Sequence, residues 1–266
     1  MNKLSKVIIA FGLILRKPYL LNLINDNEEV MKAYVVKKYQ LADGLNTVSI
    51  DHFIDKEEDI FPYSFLEGSS LPTDFTLLKS ICKKNLVEDY LEIGTWRGES
   101  VANVAPYVKN CYSINLPDND MRKLGFGEDY VGMHRYFSKD MLNITHIQAN
   151  SQTFDFSLLN KKFDLIFLDG DHHTESITND TRNAFQLLKD DNSMIVWHDY
   201  GMGTETTRFS VLAGILDGCT PENIKYLYKV SHSLCAIYTR NEMISQIIKP
   251  NSKPEFSFKV KISISK

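Results

Sequence analysis

The sequence predicts an α/β fold in which a doubly wound, mostly parallel sheet is covered by helices on both faces. Two observations support this. From about residue 71 onward, strand-like apolar segments alternate with helical segments, and such alternation is typical of a parallel sheet between helices. Near residue 230, two further strand-like segments lie close enough in the chain to predict a C-terminal hairpin, which is expected to form an antiparallel edge of the sheet.

Residues 1–70 are predicted to form a helical and then irregular extension. Apolar residues at helical spacing predict a helix in NEEVMKAYVVKKYQL, with Val30, Ala33 and Tyr34 on one face. A polar connector with Pro and Gly follows this helix. We therefore place the start of the main domain near Leu71 and its end near Arg240.

The segment VIIAFGLIL, Val7 to Leu15, follows two lysines and resembles the core of a signal peptide, although no cleavage site of small residues follows it. It is also shorter than the roughly 20 apolar residues that span a bilayer. We expect a helix that packs on the domain or on a second subunit. A membrane-surface anchor is the alternative.

Within the main domain, a helix capped by Thr73 or Asp74 is predicted to run through Lys83. Further helices are predicted in ESVANVAPYV, from Thr174 to about Lys189, and around Arg208 to Leu216. Strands are predicted in VEDYLEIG, NCYSINLP, ITHIQAN, FDLIFLDG and SMIVWHDY, and the hairpin in IKYLYKVS and SLCAIYTR.

Two segments outside this alternation are also assigned. Phe256 to Ser265 alternates strictly between apolar and polar residues, so residues 241–266 are predicted to be a tail with one more strand. Because an exposed edge strand is an aggregation risk, this strand is expected to pair, for instance with a sister subunit. The long connection from Pro117 to Leu142 is predicted to be a substrate lid.

The composition limits the class of partner and the compartment. The formal net charge of −4 gives no support to a nucleic-acid partner, because such proteins usually carry a basic excess. The four cysteines form no CxxC pair. They are therefore expected to be mostly buried thiols in a reducing compartment, which indicates the cytoplasm.

A glycine-containing turn follows the first predicted strand, in YLEIGTWRGES. Gly94 and Gly98 are spaced G-x-x-x-G, whereas a dinucleotide site has G-x-G-x-x-G. Glu92 precedes the turn, and an acid there suits a cationic ligand. S-adenosylmethionine has an ammonium and a sulfonium group, and backbone N–H groups at a helix start can receive its carboxylate. The alternative is a strand–turn–helix whose glycines only satisfy backbone geometry.

A second polar cluster, Asp169-Gly170-Asp171-His172-His173, follows the fourth predicted strand. Open parallel sheets bind ligands at the carboxyl ends of their strands, so this cluster is a candidate site. The alternative is a solvated polar turn.

EIGTWRGES, together with FDLIFLDGDHHTESITNDTRNAFQLLKDDNSMIVWHDY, resembles the class I S-adenosylmethionine-dependent methyltransferases. More narrowly, it resembles the bacterial branch that shares its site plan with catechol O-methyltransferase and the macrolide-sugar methyltransferases. The resemblance covers roughly residues 71–240. It implies a seven-stranded sheet with S-adenosylmethionine over strands one to four.

The resemblance also implies the residues that bind this cofactor. Those at its methionine end would be Glu92, Gly94, Thr95, Gly98 and Ser100. Asn115 stands where the family usually has an acid for the ribose, and Asn150, followed by Ser151, stands where an acid is frequent after strand three. An asparagine at these places still forms hydrogen bonds, but without charge assistance.

In metal-dependent members of the family, an acid after strand four and an adjacent pair after strand five bind a divalent cation. Asp169, His198 and Asp199 match these positions. Carboxylates suit hard cations such as magnesium, manganese or calcium, and the imidazole of His198 favours manganese or another transition metal, or else faces away. The alternative is a pair of polar strand ends bridged by water.

His172 lies three residues beyond Asp169, where the family carries its general base. A neutral imidazole can accept the proton of a hydroxyl group that attacks the sulfonium methyl. His173, and in the alternative also His172, would be a solvated loop residue. The sequence thus predicts an O-methyltransferase for a hydroxylated small molecule or a sugar. The rivals are the same fold used for other chemistry, such as a hydrolase or hydroxylase, and a non-catalytic binding or assembly protein.

Overall fold

The computed structural model describes residues 2–16, 28–54 and 57–265, and its centre is a mostly parallel sheet of nine strands. These are β1 (Thr47–Val48), β2 (Asp89–Ile93), β3 (Asn110–Asn115), β4 (Ile144–Gln148), β5 (Leu165–Leu168), β6 (Met194–Trp197), β9 (Leu227–Val230), β10 (Ala236–Tyr238) and β11 (Ser245–Gln246). The strand order is β4-β3-β2-β5-β6-β10-β9-β1-β11. A separate two-stranded ribbon consists of β7 (Gly201–Gly203) and β8 (Thr206–Thr207).

The sheet confirms the predicted fold class and corrects the predicted edge. Strands β2 to β6 pair in parallel, while β10 is antiparallel to both β6 and β9. The predicted hairpin is therefore present. It does not form the edge, because β1 pairs in parallel with β9 and carries β11 on its other side. These two short strands also raise the count from the expected seven to nine.

The described helices are α1 (Lys3–Arg16), α2 (Glu28–Tyr39), α3 (Pro72–Lys84), α4 (Glu99–Val104), α5 (Asp118–Lys123), α6 (Glu128–Gly132), α7 (Thr174–Leu187) and α8 (Phe209–Gly218). Side chains of successive strand residues enter opposite faces of the sheet. Leu91 and Ile166 belong to the core that includes residues of α7 and α8, whereas Tyr90 and Phe167 belong to the core that includes residues of α3 and α4.

Glycine allows the two helices on one face to approach closely. A Cβ atom on Gly214 of α8 would lie 2.8 Å from the Cβ of Ile177 in α7, and one on Gly218 would lie 2.5 Å from the Cβ of Thr181. Helix α2 packs on α8 as well, where the hydroxyl of Tyr34 donates to Asp217 at 2.8 Å. These contacts fix α7, which follows the candidate site of residues 169–173.

Two predicted helices differ in detail at their ends. Helix α3 begins at Pro72, and its cap is Leu71, not Thr73 or Asp74. Asp74 lies in the first turn instead, where its carboxylate accepts from the backbone N–H of Leu71 at 2.8 Å. The helix predicted in ESVANVAPYV ends at Val104 and continues as a 3₁₀ turn that contains Pro106.

The N-terminal segment is helical, as predicted, but α1 has no buried residue. Packing on the domain is therefore not found for the described part of the chain, while a second subunit and a membrane surface stay predictions. No helix among the described residues is long and apolar enough to cross a membrane. The boundary near Leu71 also stays a prediction, although β1 places residues 47–48 within the same sheet as the rest of the domain.

The strand predicted from Phe256 to Ser265 is not formed. A strand needs a hydrogen-bonded neighbour, and the described residues of this chain provide none for this segment. Its apolar side chains stay exposed from Phe258 to Ile264. Residues 117–142 are also more structured than a loop, because α5 and α6 lie within them.

Candidate functional site

The turn after β2 lies directly against the end of β5. Gly94 has φ +93° and Gly98 has φ +79°, which is the left-handed region where glycine costs least. A Cβ atom on Gly94 would collide with the backbone of Asp169, and one on Gly98 would collide with the side chain of Ser138. Both glycines are therefore required by close approach of other chain segments.

Glu92 is completely buried beneath this turn. Its carboxylate accepts hydrogen bonds from the hydroxyls of Tyr90 at 2.8 Å, Thr95 at 2.6 Å and Ser100 at 2.8 Å. Burial raises the pKa of Glu92 to about 7, although these hydroxyls act in the opposite direction. Three of the predicted cofactor-binding side chains, Glu92, Thr95 and Ser100, are thus brought together, but they bind one another.

Asn115, at the end of β3, is also occupied by the protein. Its side-chain oxygen accepts from the backbone N–H of Thr95 at 3.3 Å, and its amide nitrogen contacts Nε2 of His134. The other ring nitrogen of His134 lies 2.9 Å from Asp118. Burial lowers the pKa of His134 below its ordinary value, even though Asp118 acts in the opposite direction.

The predicted lid lies over the glycine turn. The backbone N–H groups of Arg135 and Phe137 donate to the carbonyls of Trp96 and Arg97 at 2.6 and 2.9 Å. The ring of Trp96 stacks on Tyr130 with centroids 4.7 Å apart, and Tyr130 stacks on Phe126 at 4.6 Å. Among the described residues, three buried polar atoms near this cover have no hydrogen-bond partner: Arg135 Nε, Ser138 Oγ and His146 Nδ1.

Asn150 and Ser151 lie in the turn after β4. The side chain of Asn150 accepts from the backbone N–H of Gln152 at 3.0 Å. The amide of Gln152 in turn donates to Ser151 at 3.2 Å and to Asp180 at 3.1 Å. Burial raises the pKa of Asp180 to about 6. This turn is therefore linked to α7 through Gln152 and Asp180, and it follows directly on Ala149, whose backbone N–H donates to the carbonyl of Asn115 at 2.9 Å.

The ends of β5 and β6 bring together four of the predicted site residues. Nε2 of His172 lies 3.1 Å from Oδ2 of Asp199. Nδ1 of His198 lies 3.1 Å from Asp169 and 3.5 Å from Asp199. His173 points away and contacts Asp171 at 2.5 Å, with its side chain 87% exposed. Parallel pairing of the two strands explains why residues 30 positions apart in the chain converge here.

The side chain of His198 is buried, and a carboxylate lies near each of its two ring nitrogens. Its Nε2 lies 3.1 Å from Asp74, which is itself fully buried. Burial opposes a charge on this ring, but Asp169, Asp199 and Asp74 outweigh it and raise the pKa of His198 well above its ordinary value. Burial would likewise raise the pKa of Asp199, yet His198 and His172 lower it to about 2. At neutral pH the cluster therefore contains an imidazolium.

The predicted metal ligands Asp169, His198 and Asp199 stay a prediction. Ligand atoms of Asp169, His172 and Asp199 all lie within 4.8 Å of one another. A protonated imidazole has no free lone pair, so the ring of His198 would have to lose its proton before it could coordinate a cation. The side chains whose ligand atoms converge are the two acids and His172, and His198 is their neighbour.

A small cleft beside this cluster has a volume of about 20 Å³, which is enough for about one water molecule. It is lined by Leu168, Gly170, Asp171, His172, Ile177, Asp180, Trp197, His198 and Val211. It therefore opens toward α7 and α8 and does not include the glycine turn.

Sequence reasoning missed two functional candidates. Asp74 was interpreted only as a helix cap. No local pattern in the sequence indicates its contact with His198, which lies 124 residues further along the chain. His134 lies in the long connection from Pro117 to Leu142, for which no individual residue was given a role. A signal for His134 was available, because a histidine in the connection that directly follows β3 is within reach of Asn115 at the end of that strand.

Residues 91–200 match a family model described as a methyltransferase domain. The resemblance to class I S-adenosylmethionine-dependent methyltransferases is thereby confirmed for this part of the chain, while the narrower branch stays a prediction. No curated protein matches the chain.

Solved structures of methyltransferases are similar to this chain at low identity. An O-methyltransferase from Bacillus cereus in complex with SAH is 14% identical, with a TM-score of 0.44, over 66% of this chain and 84% of that one. A putative O-methyltransferase from Klebsiella pneumoniae is 13% identical, with a TM-score of 0.45, over 65% and 83%. The N-methyltransferase NodS from Bradyrhizobium japonicum is 15% identical, with a TM-score of 0.39, over 62% and 92%.

Proposed function

We propose that this chain is an O-methyltransferase that uses His172 as general base on a hydroxylated small molecule or sugar. The observation that carries the proposal is the position of His172. Its ring lies 3.1 Å from Asp199 at the end of β6, and Asp169, which shares that end of the sheet, contacts the glycine turn through its backbone. A base and a cofactor turn are thus neighbours across the ends of β2, β5 and β6.

The residues around the glycine turn fit S-adenosylmethionine, which would supply an electrophilic methyl group on its sulfonium. Their fit rests on the unpaired buried atoms of Arg135, Ser138 and His146 beside the turn, because buried polar atoms normally have a partner. Asn115 would have to exchange its contact with His134 for one with the ribose. Glu92 would not contact the cofactor but would hold the side chains of Thr95 and Ser100 in position through its hydrogen bonds with them.

His172 can move a proton in one defined direction. We infer that the neutral ring has its hydrogen on Nε2, the nitrogen 3.1 Å from the carboxylate of Asp199, because a carboxylate only accepts. The free Nδ1, which makes no hydrogen bond with any described residue, then accepts the proton of the attacking hydroxyl. Asp199 stabilises the imidazolium that results, as a carboxylate does for a catalytic histidine elsewhere.

A divalent cation fits the same cluster. Asp169 and Asp199 would hold it, and it would lower the pKa of the acceptor hydroxyl and fix its position. His172 could then stay the base, whereas coordination through its Nε2 would remove the contact with Asp199. If His172 coordinates as well, the mixed carboxylate and imidazole donors suit manganese better than magnesium.

Calorimetry with S-adenosylhomocysteine, followed by a screen of sugars and phenols with methyl-labelled cofactor, tests the proposal. We expect binding, and label in one class of acceptor that requires His172. Binding without transfer to any hydroxyl would favour the repurposed enzyme. No binding at millimolar ligand would remove the methyltransferase proposal and leave the non-catalytic one, which the internal pairing of Asn115 with His134 supports.

A further inference from the structure

The apolar side chains of α1 form an exposed stripe. Leu4, Val7, Ile8, Phe11 and Leu15 follow the spacing i, i+3, i+4, i+7 and i+11, which places them on one side of the helix. They are 60 to 75% exposed. A stripe of this length on a globular domain normally faces a core. Here nothing among the described residues covers it.

The C-terminal tail has a second exposed apolar row. Phe258, Val260, Ile262 and Ile264 alternate with Lys259, Lys261 and serines, and all of these residues are exposed. The start of this row is held against the domain, because the rings of Phe256 and Phe258 pack against the ring of His232, with centroid distances of 4.8 and 5.4 Å. His232 lies in the turn between β9 and β10, and the neighbouring Leu234 donates to Asp74 at 2.9 Å. The tail therefore leaves the domain close to the candidate site.

Charge distinguishes both segments from the rest of the chain. Residues 1–25 contain four basic residues and no acidic residue, which gives +4, and residues 249–266 contain five lysines and one glutamate, which also gives +4. Because the whole chain has a net charge of −4, residues 26–248 have a net charge of −12. The apolar surfaces are thus the basic parts of an acidic protein.

We propose that α1 and the C-terminal tail bind an anionic lipid bilayer surface together. A helix with an apolar stripe and flanking basic residues lies in the plane of the membrane interface, with the stripe among the acyl chains. Lys3, Lys6 and Arg16 are on α1, and Lys259 and Lys261 are on the tail. These cations contact anionic headgroups, which attract each nearby basic side chain. The acidic domain is repelled and stays in the aqueous phase.

A second copy of the chain explains the apolar rows less well. If two copies associated through these segments, a segment of net charge +4 in one copy would face a segment of net charge +4 in the other. Like charges at an interface oppose association. An anionic surface removes that repulsion and uses the same apolar side chains. The charge distribution therefore favours lipid over self-association.

The test is co-sedimentation of the full chain with phosphatidylcholine vesicles and with phosphatidylcholine–phosphatidylglycerol vesicles. We expect binding to the anionic vesicles only, and a loss of binding as salt rises. The double variant Ile8→Glu/Phe11→Glu should abolish it, and Lys259→Glu/Lys261→Glu should weaken it by about tenfold or more.

Two controls match these variants. Leu86→Glu changes an apolar residue of the domain that is 83% exposed, and Lys37→Glu/Lys123→Glu reverses two exposed helix lysines; both should bind like the wild type. No vesicle binding, equal binding to neutral vesicles, or full binding by Ile8→Glu/Phe11→Glu would overturn the proposal. A dimer that dissociates in Ile8→Glu/Phe11→Glu, without vesicle binding, would assign the surface to a second copy. None of these outcomes depends on methyl transfer.

Discussion

The carboxylate of Asp74 and the imidazole of His198 lie 3.1 Å apart although 124 residues separate them in the chain. Asp74 is in the first turn of α3, and His198 directly follows β6. The pair joins the helix on one face of the sheet to the acids at its carboxyl edge. It also places one fixed positive charge between Asp169 and Asp199.

Asp74→Asn is expected to destabilise the fold by about 3–5 kcal/mol, because it leaves a buried imidazolium without one of its carboxylates. Urea denaturation followed by circular dichroism measures this change. Asp120→Asn is the matched control, since Asp120 pairs with Lys123 on the surface, and its loss should cost at most about 1 kcal/mol. Equal effects of the two substitutions would show that the buried pair contributes no more to stability than a surface pair does.

Glu92 should make the protein less stable as pH rises. Its pKa is about 7 in the folded state against 4.5 as the ordinary value, so the folded state binds more protons than the unfolded state between these values. Stability is then greatest below about pH 4.5 and falls until about pH 7. Glu92→Gln removes this pH dependence. The free energy of unfolding of the variant, relative to that of the wild type, should therefore rise by up to about 3 kcal/mol between pH 5 and pH 8. A pH-independent difference in urea denaturation would contradict the assignment.

His172→Ala should lower methyl transfer by about 10²–10⁴-fold, because a positioned general base contributes that much. S-adenosylhomocysteine affinity should stay nearly unchanged. His173→Ala is the control, since that ring points into solvent, and its turnover should match the wild type. Single-turnover rates with labelled cofactor give the comparison. Undiminished transfer by His172→Ala would assign proton removal to another group.

Metal titration should distinguish the roles of the acids from that of His198. Asp169→Asn and Asp199→Asn are expected to weaken manganese binding by tenfold or more, because each removes a charged donor. His198→Gln should strengthen it, since the substitution removes a positive charge 3.1 Å from Asp169. Calorimetry with Mn²⁺ measures all three. Weaker binding by His198→Gln would restore His198 as a ligand.

His134→Ala should improve the binding of S-adenosylhomocysteine by about 2–10-fold. The substitution frees the amide of Asn115, and one hydrogen bond is worth about 0.5–1.5 kcal/mol net. Asn115→Ala should reduce affinity by a similar factor. If His134→Ala weakens binding instead, the lid histidine itself contacts the cofactor.

The sequence by itself determined the parallel strands, the hairpin and the candidate acids. Buried strands such as FDLIFLDG are apolar throughout, and their polar ends are visible without coordinates, because the change from apolar to charged residues marks where a strand leaves the core. The convergence of Asp169, His172 and Asp199 followed from the rule that parallel strands end at one edge. The family likeness over residues 91–200 was visible in the same motifs.

The tertiary structure alone decided what each of these side chains contacts. The burial of Glu92 among three hydroxyls, the closure of residues 134–138 over the glycine turn and the Asp74–His198 pair all join positions distant in sequence. Such contacts depend on the packing of whole elements, which leaves no periodic signal. The tail shows the converse: its alternation satisfies the pattern of a strand, but the described part of the chain contains no neighbouring strand for it. A strand is stabilised by cross-strand partners, and only the three-dimensional arrangement reveals whether a partner is there.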